Sequence, residues 1–167
     1  MKIYTLGYQG LNPETYIQSL INAGVKVVID VRENSWSQRP AYVGSTLRRS
    51  LEPAGIGYQH WKALGNPSAN RKTASGAAEC MRRYRSYLQQ NRESLLLFVA
   101  EMRNAASNGN PLCLTCYEKE HSNCHRSVII EELLELEPSI VPIHLEPRPS
   151  PKRTTIKRPS ARSLVST

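Results

Sequence analysis

No apolar run in this chain exceeds LLLFVA, Leu95 to Ala100, far short of the roughly twenty residues a membrane-spanning helix needs. The opening MKIYTLGYQG lacks the apolar centre of a secretory signal, so the expected location is cytoplasmic. Cysteine is scarce, with 4 in 167 residues. In a reducing compartment these are not expected to form structural disulfides; they are buried small hydrophobes or reactive thiols. Phosphate-loop, dinucleotide-loop, HExxH and nucleophile-elbow patterns are all missing. No arginine stands six positions after Cys80, Cys116 or Cys124, where Ser86, Ser122 and Ile130 are found instead. That removes the cysteine-headed anion loop of phosphatases and sulfurtransferases. There is no internal repeat.

What is present is globular in composition, 40% hydrophobic and 22% charged. The net charge of +8 is unevenly divided. Residues 147–167 hold six Lys or Arg and no acid, which leaves +2 for residues 1–146. The expected organisation is therefore one domain, 1–146, followed by a basic, low-complexity tail rich in Pro, Ser and Arg, 147–167. Such a segment cannot bury enough surface to offset its ordering entropy. Its Lys152, Arg153, Lys157 and Arg158 suit an electrostatic tether to nucleic acid, or simply a solubilising appendage.

Strand and helix signals alternate. Lys2 to Leu6 reads as a strand, and Asn12-Pro13-Glu14 opens a helix that stops at Gly24. The β-branched run Lys26 to Val31 marks a buried parallel strand. A helix over Ser45–Glu52, a strand over Gly57–Trp61 and a polar mobile loop over Lys62–Ser75 follow. Helical spacing then extends from Gly76 to Ser107, with a break near Asn91. The chain closes with a strand at Pro111–Cys116, a helix at Asn123–Leu136 and a strand at Ile140–Leu145. This order predicts an α/β fold, a mostly parallel five-stranded sheet with helices on both faces.

In such folds ligands bind beyond the carboxyl ends of the strands. Asp30, Arg32 and Ser37 follow the second strand, and Tyr58 lies on the third. Cys116 and Glu118 end the fourth, and Cys124, His125 and Arg126 open the next helix, capped by Ser122 or Asn123. A helix start beside Arg32 and Arg126 is suited to a phosphate or carboxylate, and would activate Cys124 as a nucleophile with His125 beside it. Each residue also has a plainer role. Asp30 and Arg32 make a local ion pair, Glu118 braces Arg126, Cys113 and Cys80 pack in the core, and His60 is either packed or functional. Trp36 and Tyr117 either stack on a base or simply pack.

A zinc site built on Cys113 and Cys116 is not expected, because residues three apart on a strand face opposite sides. Neither a metal nor another cofactor is expected.

The stretches TLGYQG (5–10), VIDVRENSWS (28–37), GIGYQHWKALG (55–65) and CYEKEHSNCHRSVI (116–129) resemble the family called domain of unknown function 488. Thr5, Gly7, Asp30, Arg32, Ser37, Tyr58, Gly65, Cys116, Glu118, Cys124, His125 and Arg126 carry the resemblance. It implies a compact α/β fold and a site drawn from DVR and CHR, and it implies no reaction. The loop after LG departs from the family pattern, Cys113 is not required by it, and the tail lies outside it.

Three functions follow. The first is an enzyme acting on a nucleotide or nucleic acid, with Cys124, Glu118 and His125 catalytic and Arg32, Arg126, Ser37, Tyr58, Asp30 and Cys116 holding a phosphate-bearing ligand. The second is a non-catalytic nucleic-acid-binding module that uses the pocket and the tail. The third is a scaffold in which the polar cluster is an internal brace.

Overall fold

The structure, a computed structural model, describes residues 1–147. The expected basic tail, with Lys152, Arg153, Lys157 and Arg158, lies outside the described residues.

Five strands form one sheet: β1 (Lys2–Gly7), β2 (Val27–Asp30), β3 (Gly57–His60), β4 (Leu112–Cys116) and β5 (Val141–His144). Their order is β3-β2-β4-β1-β5, and every pairing is parallel. Central β4, LCLTC, is buried at every position, as a strand covered on both faces must be. Pro142 sits on edge strand β5, where a missing backbone donor is tolerated.

Helices α1 (Pro13–Asn22) and α2 (Gly44–Leu51) cover one face, where Tyr16, Leu20, Leu47 and Leu51 join Leu6, Val28 and Cys113. Helices α4 (Ala77–Gln90), α5 (Arg92–Ser107) and α6 (His125–Leu136) cover the other, where Leu88, Phe98 and Ile129 join Ile3, Ile29 and Leu114. A fully buried side chain of this size contributes about 1.5–3 kcal/mol. The α4–α5 break falls at Asn91, as the sequence implies.

Two local expectations are corrected. The polar loop 62–75 contains α3 (Ser68–Thr73) and a 3-10 turn at Lys62–Leu64. None of α3 is buried, so no apolar periodicity announces it. The cap of α6 is Cys124 rather than Ser122 or Asn123: a 3-10 turn occupies His121–Asn123, and Cys124 takes the extended backbone of a cap.

Beyond β2 the chain crosses toward β3, while beyond β4 it crosses toward β5. The carboxyl ends of these adjacent strands therefore form a topological switch point, where a crevice opens.

Candidate functional site

Two polar assemblies meet at that crevice. The first is built on β2. Arg32 clasps Asp30 with Nε on Oδ1 at 2.8 Å and Nη2 on Oδ2 at 2.5 Å. Its Nη1 donates to the Tyr8 hydroxyl at 2.9 Å and the Tyr42 carbonyl at 3.0 Å. Tyr58 donates to Asp30 Oδ2 at 2.6 Å. Burial and the Asp30 charge push the Tyr58 phenol up. Burial alone would lower Arg32, but its bonds to Asp30 outweigh that and hold it firmly cationic. Ser37 Oγ accepts from the Arg39 amide at 3.1 Å. His60 is exposed, and its Nε2 bonds the Arg32 carbonyl at 2.8 Å.

The second assembly joins the end of β4 to the start of α6. Cys116 Sγ lies 3.1 Å from Glu118 Oε2 and 3.5 Å from His125 Nδ1. Cys124 Sγ lies 3.2 Å and 3.7 Å from the same two atoms. His125 Nε2 is 2.7 Å from the Val31 carbonyl. A carbonyl only accepts, so Nε2 carries a proton and, in the neutral ring, the Nδ1 lone pair faces both sulfurs. The edge of Tyr84 packs against the imidazole. Arg126 donates from Nε to Cys124 Sγ at 3.2 Å and from Nη2 to the Glu118 carbonyl at 2.5 Å.

These interactions set the charges. Burial would raise the Cys124 thiol, but hydrogen bonds with Cys116 and His125 and the charges of His125 and Arg126 lower it overall. Burial pushes Cys116 well up, and the Cys124 and Glu118 beside it act the same way. Burial and the Cys124 charge raise Glu118. Burial would lower His125, but Cys124 raises it. Cys124 is thus drawn toward its thiolate, while Cys116 is held toward its protonated thiol.

Glycines permit this closeness. A Cβ on Gly7 would stand 1.7 Å from the Glu118 carbonyl oxygen, and one on Gly65 would stand 2.4 Å from the Glu33 amide nitrogen. The β1 end and the loop after β3 can reach the site only without side chains there.

A cleft of about 540 Å³ opens over both assemblies. Tyr8, Arg32, Asn66, Cys116 and His125 are its buried lining, Glu33 and Glu118 are partly buried, and Asn34, Trp36, Arg71 and Tyr117 form an exposed rim. Trp36 is 67% exposed, unlike a packed ring.

The structure departs from the expectations at four points. Arg32 and Arg126 do not fork an outside anion, because their donors serve internal acceptors. Cys124 is fully buried, and Cys116 is the sulfur that lines the cleft. Ser37, Tyr58 and Asp30 stand behind the cleft rather than on it. Glu118 does not ion-pair with Arg126; its carboxylate meets the two sulfurs. Cys113 packs in the α1–α2 core and Cys116 against α4–α6, so the two do face opposite ways.

Sequence reasoning also misses Tyr8 and Arg71. Tyr8 follows β1 at the same carboxyl edge and is reachable by the rule that applies to β2 and β4. Arg71 lies in α3, where it pairs with Glu33 at 3.0 Å. No helix among the described residues is long and apolar enough to cross a membrane.

The family model described as "Domain of unknown function DUF488" matches residues 12–133. No curated protein and no solved structure matches.

Proposed function

The chain belongs to the DUF488 family, and from that premise we propose that it is an enzyme acting on a nucleotide or nucleic-acid-derived ligand. The observation that carries this reading is the convergence of Cys116, Glu118 and His125 on the lining of the cleft. A thiol, a carboxylate and an imidazole within reach of each other form a reaction centre rather than a recognition surface.

The ligand class follows from the rest of the lining. Trp36 and Tyr117 offer exposed rings at the rim, and base stacking on such rings is worth about 1–3 kcal/mol. Arg71 is the rim cation for a phosphate, in place of the internally engaged Arg32 and Arg126. The volume suits a ligand of nucleotide size. Cys116 Sγ and the Glu118 carboxylate are the groups a bound ligand would meet first.

The test is turnover. Incubating the full chain with a panel of nucleosides, nucleotides and short oligonucleotides, followed by mass spectrometry, should show one class consumed. Cys116→Ser and Glu118→Gln should each abolish consumption while circular dichroism stays unchanged. If no member of the panel is altered, the reading fails.

A second reading is favoured by one observation, the concentration of positive charge after residue 146. In it the chain is a non-catalytic nucleic-acid binder. Oligonucleotide affinity would then fall steeply with salt. Replacing Lys152, Arg153, Lys157 and Arg158 by Ala would flatten that slope by roughly one unit for each phosphate no longer neutralised. Salt-insensitive binding would exclude it.

A further inference from the structure

The reaction centre has a property that thiol chemistry alone does not require. Cys116 Sγ, Glu118 Oε2, Cys124 Sγ and His125 Nδ1 all lie within 4.8 Å of one another. We propose that these four atoms bind one divalent zinc ion.

Three observations point to this. The first is edge length. A tetrahedral zinc with Zn–S near 2.3 Å and Zn–N near 2.05 Å separates its sulfur and nitrogen ligands by about 3.5 Å. Here Nδ1 stands 3.5 Å from Cys116 Sγ and 3.7 Å from Cys124 Sγ. Both sulfur–nitrogen edges are close to their filled length. The Glu118 oxygen, at 3.1 Å and 3.2 Å from the sulfurs, needs to shift by only a few tenths of an ångström to complete it.

The second is the support of the histidine. The Val31 carbonyl holds Nε2–H at 2.7 Å and so aims the Nδ1 lone pair at the cluster. Metal-ligating histidines are held by an outer partner on their second nitrogen in this way.

The third is charge. Two thiolates and a carboxylate around a dication leave one surplus negative charge. Arg126, 1% exposed, has no carboxylate within ion-pair distance among the described residues, and its Nε–H points at Cys124 Sγ at 3.2 Å. A buried guanidinium without a carboxylate is costly unless another anion compensates it. The Cys124 sulfur that it contacts supplies that charge as a thiolate, and the zinc–ligand set keeps one negative charge in the same place.

Two thiolates and an imidazole suit zinc, which favours nitrogen and sulfur in tetrahedral array. This ligand set differs from the Cys113–Cys116 pair, whose side chains face opposite sides of the sheet. Cys116, Cys124 and His125, all buried residues, supply three positions. Glu118 holds the fourth at the cleft, where a water or ligand atom can replace it. That is the form of a catalytic rather than a sealed zinc site.

The inference deepens the enzyme reading by naming what its centre holds, but its test needs no nucleotide. Failure to bind zinc and failure to turn over a nucleotide are therefore separate results. Reduced, metal-free full chain is titrated with Zn2+ against a chromogenic chelator, and with Co2+ by absorption spectroscopy. Expected are one Zn2+ per chain, a rise in Tm on loading, and for Co2+ the visible bands of tetrahedral coordination with a thiolate charge-transfer band. Cys116→Ser and Cys124→Ser should weaken Zn2+ binding by more than the roughly 10–100-fold that removing an outer-shell partner costs. Cys80→Ser should change nothing. Because a buried Cys124→Ser chain can fail to fold, the wild-type Co2+ spectrum and the partly exposed Glu118→Gln stand beside it; Glu118→Gln should keep the charge-transfer band and alter the visible bands. A reduced wild-type chain that leaves all Zn2+ with the chelator, or a Co2+ spectrum without thiolate charge transfer, overturns the proposal.

Discussion

Arg32 reaches back two residues to hold Asp30 through both carboxylate oxygens, and the pair is sealed from solvent at 7% and 0% exposure. With Tyr58 on Asp30 and Tyr8 on Arg32, every group in the DVR turn is answered from another element. Removing Arg32 leaves Asp30 charged and buried, which costs about 3–5 kcal/mol. Arg32→Ala should therefore lower Tm on the order of 10 °C, with a shallower loss for Arg32→Lys, which keeps the charge without the fork. Thermal unfolding followed by circular dichroism measures both; a loss under about 1 kcal/mol would refute a structural role for the pair.

Gly7 couples β1 to the reaction centre. Its Cβ position is occupied by the Glu118 carbonyl and closely approached by the Arg126 guanidinium. Gly7→Ala must displace the turn that carries Glu118, at about 1–3 kcal/mol. The expected result is a lowered Tm together with weakened ligand binding, while Gly76→Ala, with open space at its Cβ, should leave the site intact. Calorimetric unfolding and a ligand titration on the two variants check this.

His144 predicts a pH dependence. Its ring stacks on His121 at 3.5 Å, and its Nδ1 lies 2.9 Å from Thr5 Oγ1. Burial lowers its pKa, His121 and Arg126 act the same way, and Glu146 opposes them. The folded-state value is below the unfolded one of about 6.5, so the unfolded chain takes the proton first as pH falls. The neutral ring's stability is present above about pH 6.5 and is lost below it. Tm should fall between about pH 7 and pH 5, and less steeply in His144→Gln. Equal slopes in the two proteins would show that His144 does not titrate with folding.

Much of this fold can be read from the chain, because β2 and β4 are largely apolar runs and helix boundaries fall at Asn12, Gly24 and Asn91. Helix α3 cannot, since SANRKT buries nothing and leaves no pattern. At the site, Cys116-x-Glu118 and Cys124-His125 are legible as neighbours. The convergence of four ligand atoms is not, because it depends on Cys124 capping α6 rather than lying inside it. The arginines mislead for a related reason. Residue type says that a guanidinium will find acceptors, and it does not say whether they lie inside or outside. Internal acceptors satisfy Arg32 and Arg126, which leaves Arg71, on an element with no sequence signature, as the rim cation.

The most direct test of the central claim is a thermal-shift titration of the full chain with nucleotides, alongside Arg71→Ala and Trp36→Ala. A ligand at a hundred times its dissociation constant adds about 2.7 kcal/mol, a shift of several degrees. The account predicts such a shift for a nucleotide with wild type and its loss in both variants, which alter the rim and leave the core untouched. A chain whose Tm ignores every nucleotide, or whose shift survives both substitutions, would contradict it.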